Sequence, residues 1–425
     1  MLKKYRTQIS WALYDWANSA FVLTIISGFF PIFFKEYWAN LLDPPQSTFY
    51  LGAANSTAAV IVAIMAPFLG AIADKGNVKK KFMLTFAFLG ILMSIGLLLV
   101  HRGYWQLALF FFISATVGWS GANVFYDSLL PSVASKKDVD FVSSLGYALG
   151  YIGGGLLFLA NVIFYLNHEF FGIPDAATAV KINFLSVTIW WLLFTIPLII
   201  FIKEPKFNEK IPFRKAITLG WKQLFQTLQD LKHYKIVATF LLAYWLYIDG
   251  VDTIVRMAIN YGKDLHFANS ILIIALLMVQ FIAFPATLGY SWIASKIGAK
   301  KAVLTSILGY IIITIFGYFM SKEWQFFVLA GAVGLFQGGI QALSRSLYTR
   351  IIPHDKSAEF FGFYNMLGKF AAVLGPIMMG SITRLSGSAR IGILSILILF
   401  ICGAIIFWNV NFEEGEKLAK SNLTD

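Results

Sequence analysis

The sequence predicts an all-α membrane protein whose twelve transmembrane helices form two pseudo-symmetric six-helix bundles. Hydrophobic residues make up 58% of the 425 residues and charged residues only 13%, against about 25% charged residues in soluble domains. Twelve apolar segments each approach the roughly 20 residues that cross the hydrocarbon core of a bilayer. One loop motif occurs once in each half of the chain. Such a chain cannot bury its apolar surface inside a soluble globule.

The twelve spans are predicted near residues 12–36, 48–73, 82–100, 105–130, 141–166, 183–202, 236–260, 270–294, 301–320, 325–349, 358–382 and 391–411. The first segment differs from a cleaved signal peptide, because Tyr14, Asp15 and Trp16 interrupt its start. No small-residue cleavage site follows a short apolar core there. We therefore expect the first segment to remain as a helix.

Lysine and arginine residues are concentrated in alternate loops. With the N-terminus inside, the cytoplasmic segments hold 24 of the 34 basic residues and the opposite loops hold six. Basic loops favour the cytoplasmic side of a membrane, so both termini are expected in the cytoplasm. The net charge of +12 is therefore explained by the basic residues of the cytoplasmic loops, and no nucleic-acid partner is expected. The absence of an organelle-targeting extension indicates a bacterial inner membrane.

The longest loop divides the chain into an N-terminal bundle of residues 1–203, a cytoplasmic linker of residues 204–235, and a C-terminal bundle with a short tail, residues 236–425. Apolar residues recur at helical spacing within the linker. They are Phe213, Ile217, Trp221, Leu224, Leu228 and Leu231. This pattern predicts an amphipathic helix on the cytoplasmic lipid surface. A packed connector helix without lipid contact explains the pattern equally well.

The repeated loop begins with small residues and ends with basic ones. The first copy starts at Gly70, contains Asp74 and ends at Lys81, and the second copy starts at Gly289. It resembles the signature loop of the major facilitator superfamily, which joins the second and third helices of each six-helix half. That resemblance implies a secondary transporter that works by alternating access.

A second pair of segments supports the internal repeat. Residues 125–131 at the end of the fourth span match the placement of residues 347–353 at the end of the tenth. The separation between these two segments is nearly the same as that between the two signature loops. Nearly equal separations indicate parallel six-helix repeats, whose interface forms a central cavity near the membrane midplane.

Three further segments narrow the resemblance. Residues 11–21 in the first span, 246–251 in the seventh, and 341–365 around the tenth and eleventh are similar to the vacuole effluxer branch of that superfamily. The branch implies amino acids as the solute. This sequence departs from the branch at Ser295, which stands where the first loop has Asp74, and at Asp252, where a neutral residue is expected.

Ionisable residues inside membrane spans are costly and usually face a cavity. In the seventh span, Asp249, Asp252 and Arg256 follow the spacing i, i+3 and i+7, which places them on one helical stripe. Asp249 is expected ~20 Å into the membrane and Lys369 of the eleventh span ~16 Å. Lys369 is expected to counter Asp249 or to hold a substrate carboxylate. An intrahelical pair of Asp252 with Arg256 is the alternative for those two residues.

Other polar residues at middle depths are candidates for substrate binding. They are Gln280, Gln337, Gln341, Tyr364 and Asn365 in the second half and Asn18 in the first. Buried amides also join neighbouring helices in membranes, and Tyr364 also suits packing. Their concentration in the second half predicts that substrate is recognised mainly there.

The residues that could couple transport to protons can be narrowed by elimination. All five histidines lie in loops or at span ends, so no histidine relay is expected at the midplane. A carboxyl that alternates between environments can bind and release a proton. Asp249 is the first candidate for this role and Asp252 the second.

A second polar group lies at the inner ends of the spans. By analogy with the superfamily, Asp15, Asp74, Asp127 and Arg345 are expected to form a cytoplasmic gate, with Asp127 and Arg345 paired across the halves when the inner side is closed. Local helix capping or contact with lipid headgroups is the alternative interpretation.

Enzymatic functions are disfavoured. The sequence contains no HExxH, CxxC or GxSxG motif in a suitable context, no segment that binds ATP, and a single cysteine, Cys402. We expect no catalytic residue, no metal and no cofactor. The expected function is transport of a small polar or zwitterionic solute by a monomer in the lipid bilayer, with amino acids as the solute that the resemblance implies and protons as the coupling ion. The alternatives are an exporter of amphipathic or lipid-like compounds and a non-transporting membrane receptor.

Overall fold

The computed structural model describes residues 2–203, 213–229, 234–267 and 269–421. Within these residues twelve helices are long and apolar enough to cross a membrane, and the predicted fold class is confirmed. We number these spans α1 to α12. Twelve crossings return the chain to the side on which it starts, so the described ends near Leu2 and Ser421 share one face, called here the terminus face.

The first half contains α1 to α6. After α1, the spans are α2 (Pro44–Gly76), α3 (Lys79–Leu98), α4 (Trp105–Ser128), α5 (Val139–Leu166) and α6 (Ala176–Phe201). A short helical turn, Leu130–Val133, follows α4. The predicted start of α6 at residue 183 is too late. The Asp175 carboxylate accepts the N–H of Thr178 at 2.7 Å and caps the helix before its apolar stretch begins.

The first span, α1, changes its helical type along its length. It is an α-helix over Leu2–Ala20, a π-helix over Phe21–Phe29, a single α turn over Phe30–Phe33 and again a π-helix over Phe34–Trp38. π-Helical segments are rare and often lie at functional sites. The first of these segments lies beside the central cavity described below.

The second half contains α7 to α12. These spans are α7 (Lys235–Asp264), α8 (Asn269–Ile297), α9 (Ala299–Phe319), α10 (Glu323–Ile351), α11 (Ser357–Ser386) and α12, whose two pieces are Ala389–Ser395 and Leu397–Trp408. A further helix, α13 (Phe412–Ser421), follows α12. The sequence pattern indicates only a tail in this part of the chain, because a ten-residue amphipathic helix is too short to register as a span.

Each half has its own hydrophobic cluster. The first is built around residues such as Trp11, Phe30 and Trp191. The second is built around residues such as Tyr247, Tyr310 and Phe400. Each cluster is formed mainly by residues of one half, although Ala358 of the second half belongs to the first cluster.

The halves touch most closely where small residues let backbones approach. A Cβ at Gly70 of α2 would lie 2.3 Å from the carbonyl oxygen of Ala358 in α11, and a Cβ at Gly362 would lie 2.6 Å from the backbone of Pro67. Only glycine permits such a crossing, as in other membrane helix pairs. On the other side of the bundle, α5 packs against α8 and α10.

The connector helix, Phe213–Gln229, packs on the protein and also keeps an exposed apolar edge. Its Trp221 ring lies 4.1 Å from the Phe68 ring, and Gln223 donates to the carboxylate of Glu359 in α11. Trp221 and Phe225 remain exposed. The helix therefore packs on the protein as a connector, and contact of its exposed apolar edge with the lipid surface stays a prediction. Residues 204–212 and 230–233, including Leu231, lie outside the described residues, as do the side chains of Phe213 and Leu228.

Candidate functional site

A polar cavity of about 380 Å³ lies between the two halves. Helices α1, α4 and α5 form one wall, and α7, α8, α10 and α11 form the other. Among the residues predicted for the site, the cavity is lined by Asp15, Asn18, Asp127, Asp252, Arg256, Gln280, Gln337, Gln341, Arg345, Asn365 and Lys369. Asp74, Asp249 and Tyr364 are outside this lining.

Arg345 closes the cavity toward the terminus face. Its Nη1 atom lies 2.9 Å from Asp127 Oδ1 and 3.5 Å from Asp15 Oδ2, both of which belong to the other half. Its Nε and Nη2 atoms donate to the hydroxyl and carbonyl oxygens of Ser143 at 3.0 and 2.9 Å. The side chain is 2% exposed, so one arginine from α10 holds three helices of the first half together.

Neighbouring side chains hold the two carboxylates in place. Tyr126 donates its hydroxyl to Asp15 at 2.9 Å, and Asn365 of α11 donates its amide to Asp127 at 3.2 Å. The Arg345 guanidinium also lies over the ring of Tyr147, 4.2 Å from its centroid. Buried charges are stable only when they are paired and hydrogen-bonded in this way.

Asp74 lies beneath the cavity and joins the signature loop to the start of α11. Its carboxylate lies 2.6 Å from Lys79 Nζ and accepts the N–H groups of Ala358 and Glu359 at 3.1 and 2.9 Å. Lys79 also donates to Ser357 at 2.7 Å. The first N–H groups of a helix have no intrahelical partner, so an acid from the first half caps a helix of the second.

A further set of charges crosses between the halves at the terminus face, and the sequence pattern did not predict it. Asp140 of α5 accepts from Arg350 at 2.5 Å and from Ser346 of α10. Glu416 of α13 lies 3.1 Å from Lys136 and 3.9 Å from Arg350. In the sequence, Lys136 and Arg350 count only as topology signals. Lys136 follows α4 and Arg350 lies in the last turn of α10, the corresponding span, and this correspondence could have indicated that they belong to one charged cluster.

The Lys369 ammonium lies over the ring of Trp119, 4.6 Å from its centroid. Trp119 donates its indole N–H to Asn18 Oδ1 at 2.8 Å, and Asn123 lies 3.5 Å from the same oxygen. A charged side chain of α11 is thus positioned against α4 and α1 of the other half. Trp119, Asn123, Tyr147 and Tyr151 line the cavity but are not among the predicted residues. The three aromatic residues could not be singled out, because aromatic residues are frequent throughout this chain.

Asp252 and Arg256 both line the cavity. In the part of the chain that the structure describes, their charged ends do not approach within the 4.0 Å of an ion pair. The alternative of an intrahelical pair is therefore not what the structure has. Together with Lys369, these side chains present one negative and two positive groups to the cavity, with no ion pair to the described residues.

The three predicted glutamines lie at the edge of the cavity. Gln341 accepts the hydroxyl of Tyr151 across the halves at 2.7 Å. Gln280 and Gln337 lie at the mouth of an apolar side pocket of about 60 Å³ between α7, α8 and α10. Val255 lines both spaces, and Ala330 forms part of the pocket wall. The polar cavity therefore continues into a small apolar recess.

Asp249 lies behind the cavity wall. It is fully buried, and its Oδ1 atom accepts the N–H of Gly375 in α11 at 2.9 Å and the hydroxyl of Thr253 at 3.3 Å. Three residues along a helix are about 60° apart around its axis, so α7 directs Asp252 into the cavity while Asp249 meets α11. The expected contact between Asp249 and Lys369 is not present in the described part of the chain.

Tyr364 is buried in an aromatic stack beside the cavity. Its ring centroid lies 4.2 Å from that of Tyr244 and 5.0 Å from that of Tyr348. Packing therefore accounts for this residue. Among the described residues, no group of three or more histidine, cysteine, aspartate or glutamate side chains could hold a metal ion.

Comparison with known proteins identifies relatives along the whole chain. Residues 46–420 match the family described as "Vacuole effluxer Atg22 like". The MFS-type transporter YxiO of Bacillus subtilis (strain 168) is 37% identical over 96% of this chain and 95% of its own. Autophagy-related protein 22 of Vanderwaltozyma polyspora is 22% identical over 97% and 92% of the two chains. The solved structure of the proton:xylose symporter XylE superposes with a TM-score of 0.73 at 14% identity, covering 96% and 94% of the two chains.

Proposed function

Since this chain belongs to the Atg22-like vacuole effluxer family of major facilitator transporters, we propose that it carries amino acids across the membrane by alternating access. Transport of a small molecule follows from the family, and its relatives are transporters rather than enzymes. The observation that carries the choice of solute is the set of charges of opposite sign that face the central cavity.

An α-amino acid matches three features of this cavity. Lys369 supplies a cation for the carboxylate, and Asp252 supplies an anion for the ammonium group. The recess beyond Val255 offers space for an apolar side chain. Charge-assisted hydrogen bonds contribute about 1.5–3 kcal/mol each, so the two charged ends supply most of the binding and the recess supplies the selectivity.

The bonds of Arg345 to Asp127 and Asp15 support a gate at the terminus face. We place this face in the cytoplasm, because basic residues are concentrated in its loops. In this arrangement the cavity is closed toward the cytoplasm. Substrate entry on that side requires Arg345 and Asp127 to separate, together with the contacts of Asp74 with the start of α11.

We further propose that transport is coupled to protons through Asp249. One oxygen of this buried carboxylate holds the N–H of Gly375, and the other has no hydrogen-bond partner among the described residues. A proton on that second oxygen would weaken the tie between α7 and α11 and let the two helices move apart. Uphill accumulation by an Asp249→Asn variant under an imposed pH gradient would contradict this assignment, and Asp252→Asn then tests the second candidate.

The substrate is tested by counterflow in proteoliposomes. Vesicles loaded with unlabelled leucine are expected to take up labelled leucine faster than vesicles loaded with lysolipids or hydrophobic drugs. A Lys369→Gln variant should lose this exchange, whereas Lys301→Gln, which removes an exposed lysine of the terminus face, should keep it. Exchange of labelled lysolipid in the absence of any exchange of labelled leucine would replace amino acids with amphipathic compounds as the solute.

We propose a monomer in a bacterial plasma membrane as the working form. A single chain encloses the cavity on both walls, and a relative with 37% identity comes from a bacterium. Cross-linking in native membranes that yields a dimer through the cavity-lining helices would contradict the monomer.

A further inference from the structure

We propose that a groove on the outside of the first half binds the phosphate headgroup of an anionic phospholipid. The groove encloses about 590 Å³ at the terminus face. It is formed by the start of α1, the turn after α4 and the end of α6. Its polar lining consists of Arg6, Thr7, Ser132 and Lys203, and its apolar wall of Val133, Ile200, Phe201 and Ile202.

The positive charge of the groove favours the binding of an anion. Arg6 and Lys203 bring two positive charges, and the described residues of its lining include no acidic residue. The Arg6 guanidinium lies 3.6 Å from the centroid of the Phe201 ring, so stacking holds it in place without a carboxylate. A planar guanidinium suits the oxygens of a phosphate group, and the hydroxyl of Ser132 offers a further donor.

An apolar track leads from the groove along α6. Ile200, Ile196, Leu193 and Ile189 follow each other at intervals of four, three and four residues, which places them on one face of the helix. They are 62, 41, 54 and 56% exposed. The track covers ~16 Å, about half of the ~30 Å hydrocarbon core. It therefore suits an acyl chain whose headgroup sits in the groove, which a free phosphate does not need.

The second half shows how the matching groove is filled from within the chain. There the start of α7, the end of α10 and the helix after α12 meet, and only about 10 Å³ remains between Val237, Pro353 and Leu418. Helix α13 lies in this position, with Gly415 against Ile351. Its Glu416 brings a carboxylate to the nearby cations. An anionic lipid would supply to the first half the apolar body and negative group that α13 supplies to the second.

The test uses the purified full chain in detergent. Phosphatidylglycerol is added to the wild type, to an Arg6→Gln/Lys203→Gln variant and to a Lys81→Gln/Lys301→Gln control, which loses the same charge from exposed positions. Native mass spectrometry measures the amount of bound lipid, and thermal unfolding measures how far the added lipid shifts the melting temperature. We expect one retained lipid on the wild type and the control, and about 30-fold weaker binding by the groove variant, since each of the two basic residues contributes about fivefold.

A second variant, Ser132→Trp, blocks the groove without changing its charge. Because Ser132 is exposed, the substitution is expected to preserve the fold and to abolish the retained lipid. Equal retention of phosphatidylcholine would overturn the selectivity for anionic headgroups. An equal melting shift with inorganic phosphate would replace the lipid with a free anion, and full retention by both groove variants would remove the site.

Discussion

Lys80 and Lys300 make the same contact in the two halves of the protein. The ammonium of Lys80 donates to the carbonyl oxygens of Ile199 and Ile202 at 2.6 Å each, where α6 ends. Lys300 is the second residue of α9, as Lys80 is of α3, and its ammonium donates to the carbonyl oxygens of Trp408 and Val410 at 2.6 and 2.9 Å, where α12 ends. The last carbonyls of a helix lack intrahelical partners and carry partial negative charge. The basic end of each signature loop therefore caps the final helix of its own half.

The first prediction concerns this cap. Lys80→Met is expected to lower the free energy of unfolding by about 3 kcal/mol, because two charge-assisted hydrogen bonds to partly buried carbonyls are lost. Lys300→Met should cost less, since one of its bonds is exposed. Thermal or denaturant unfolding in detergent measures the change. Lys81→Met and Lys301→Met are the matched controls, and an equal loss in the controls would refute the capping role.

The second prediction concerns the gate. Arg345→Gln leaves the buried carboxylates of Asp15 and Asp127 without a counter-ion, which costs about 3–5 kcal/mol in the closed state. We expect the population to shift toward the form open at the terminus face, with labelling of a Ser19→Cys site from that face increased more than about 100-fold. Cys402→Ser provides the background for this labelling.

A double variant with the two charges exchanged is the control for the gate prediction. Asp127→Arg combined with Arg345→Asp should restore slow labelling and part of the transport that each single substitution removes. If the pair remains as impaired as either single variant, the contact between Asp127 and Arg345 is not what closes the gate.

The third prediction concerns recognition of the charged ends of the substrate. Lys369→Gln is expected to weaken leucine binding about 10- to 100-fold, because a charge-assisted hydrogen bond to the carboxylate is lost. Leucine methyl ester lacks that carboxylate, so it should bind the wild type and the variant equally. Asp252→Asn should show the converse pattern with N-acetyl leucine. The shift of the melting temperature with ligand concentration measures both comparisons. If the losses of affinity caused by Lys369→Gln and by the methyl ester add up, the substrate carboxylate does not pair with Lys369.

The fourth prediction concerns the apolar recess. Ala330→Phe fills a space of about 60 Å³, so transport of leucine should fall at least about tenfold relative to alanine, within the range expected for discrimination by an apolar pocket. Val328→Phe on the exposed face of the same helix is the control. Competition uptake with the two amino acids provides the measurement, and an equal loss for both would show that the recess does not receive the side chain.

Several site residues could be located from the sequence because their position along the membrane normal depends on counting alone. Asp127 and Arg345 lie at matching depths at the ends of α4 and α10, and the structure brings their charged groups within 2.9 Å. The same arithmetic places Lys369 near the midplane, and this residue lines the cavity. Depth follows from the nearly constant rise per residue, which holds for any helix.

The direction in which a side chain points around its helix axis could not be predicted from the sequence in this way. Asp249 and Asp252 look equivalent in the sequence, yet one bonds the N–H of Gly375 and the other faces the cavity. The direction of each side chain depends on how α7 packs against α11, which is a property of two helices together. The bonds of Asp74 to Ala358 and Glu359 are likewise invisible in the sequence, because they join groups that lie in opposite halves of the chain.

The sequence by itself determined the number of spans, because the bilayer imposes length and hydropathy on every crossing segment independently of its neighbours. Its repeated loop and local motifs indicated the internal repeat and the family. Only the tertiary structure decided which charges meet across the halves, where the apolar recess opens, and that α13 occupies one outer groove, whereas the described residues leave a larger space in its counterpart. These features arise from contacts between segments far apart in the chain, and hydropathy carries no information about which faces of two helices will touch.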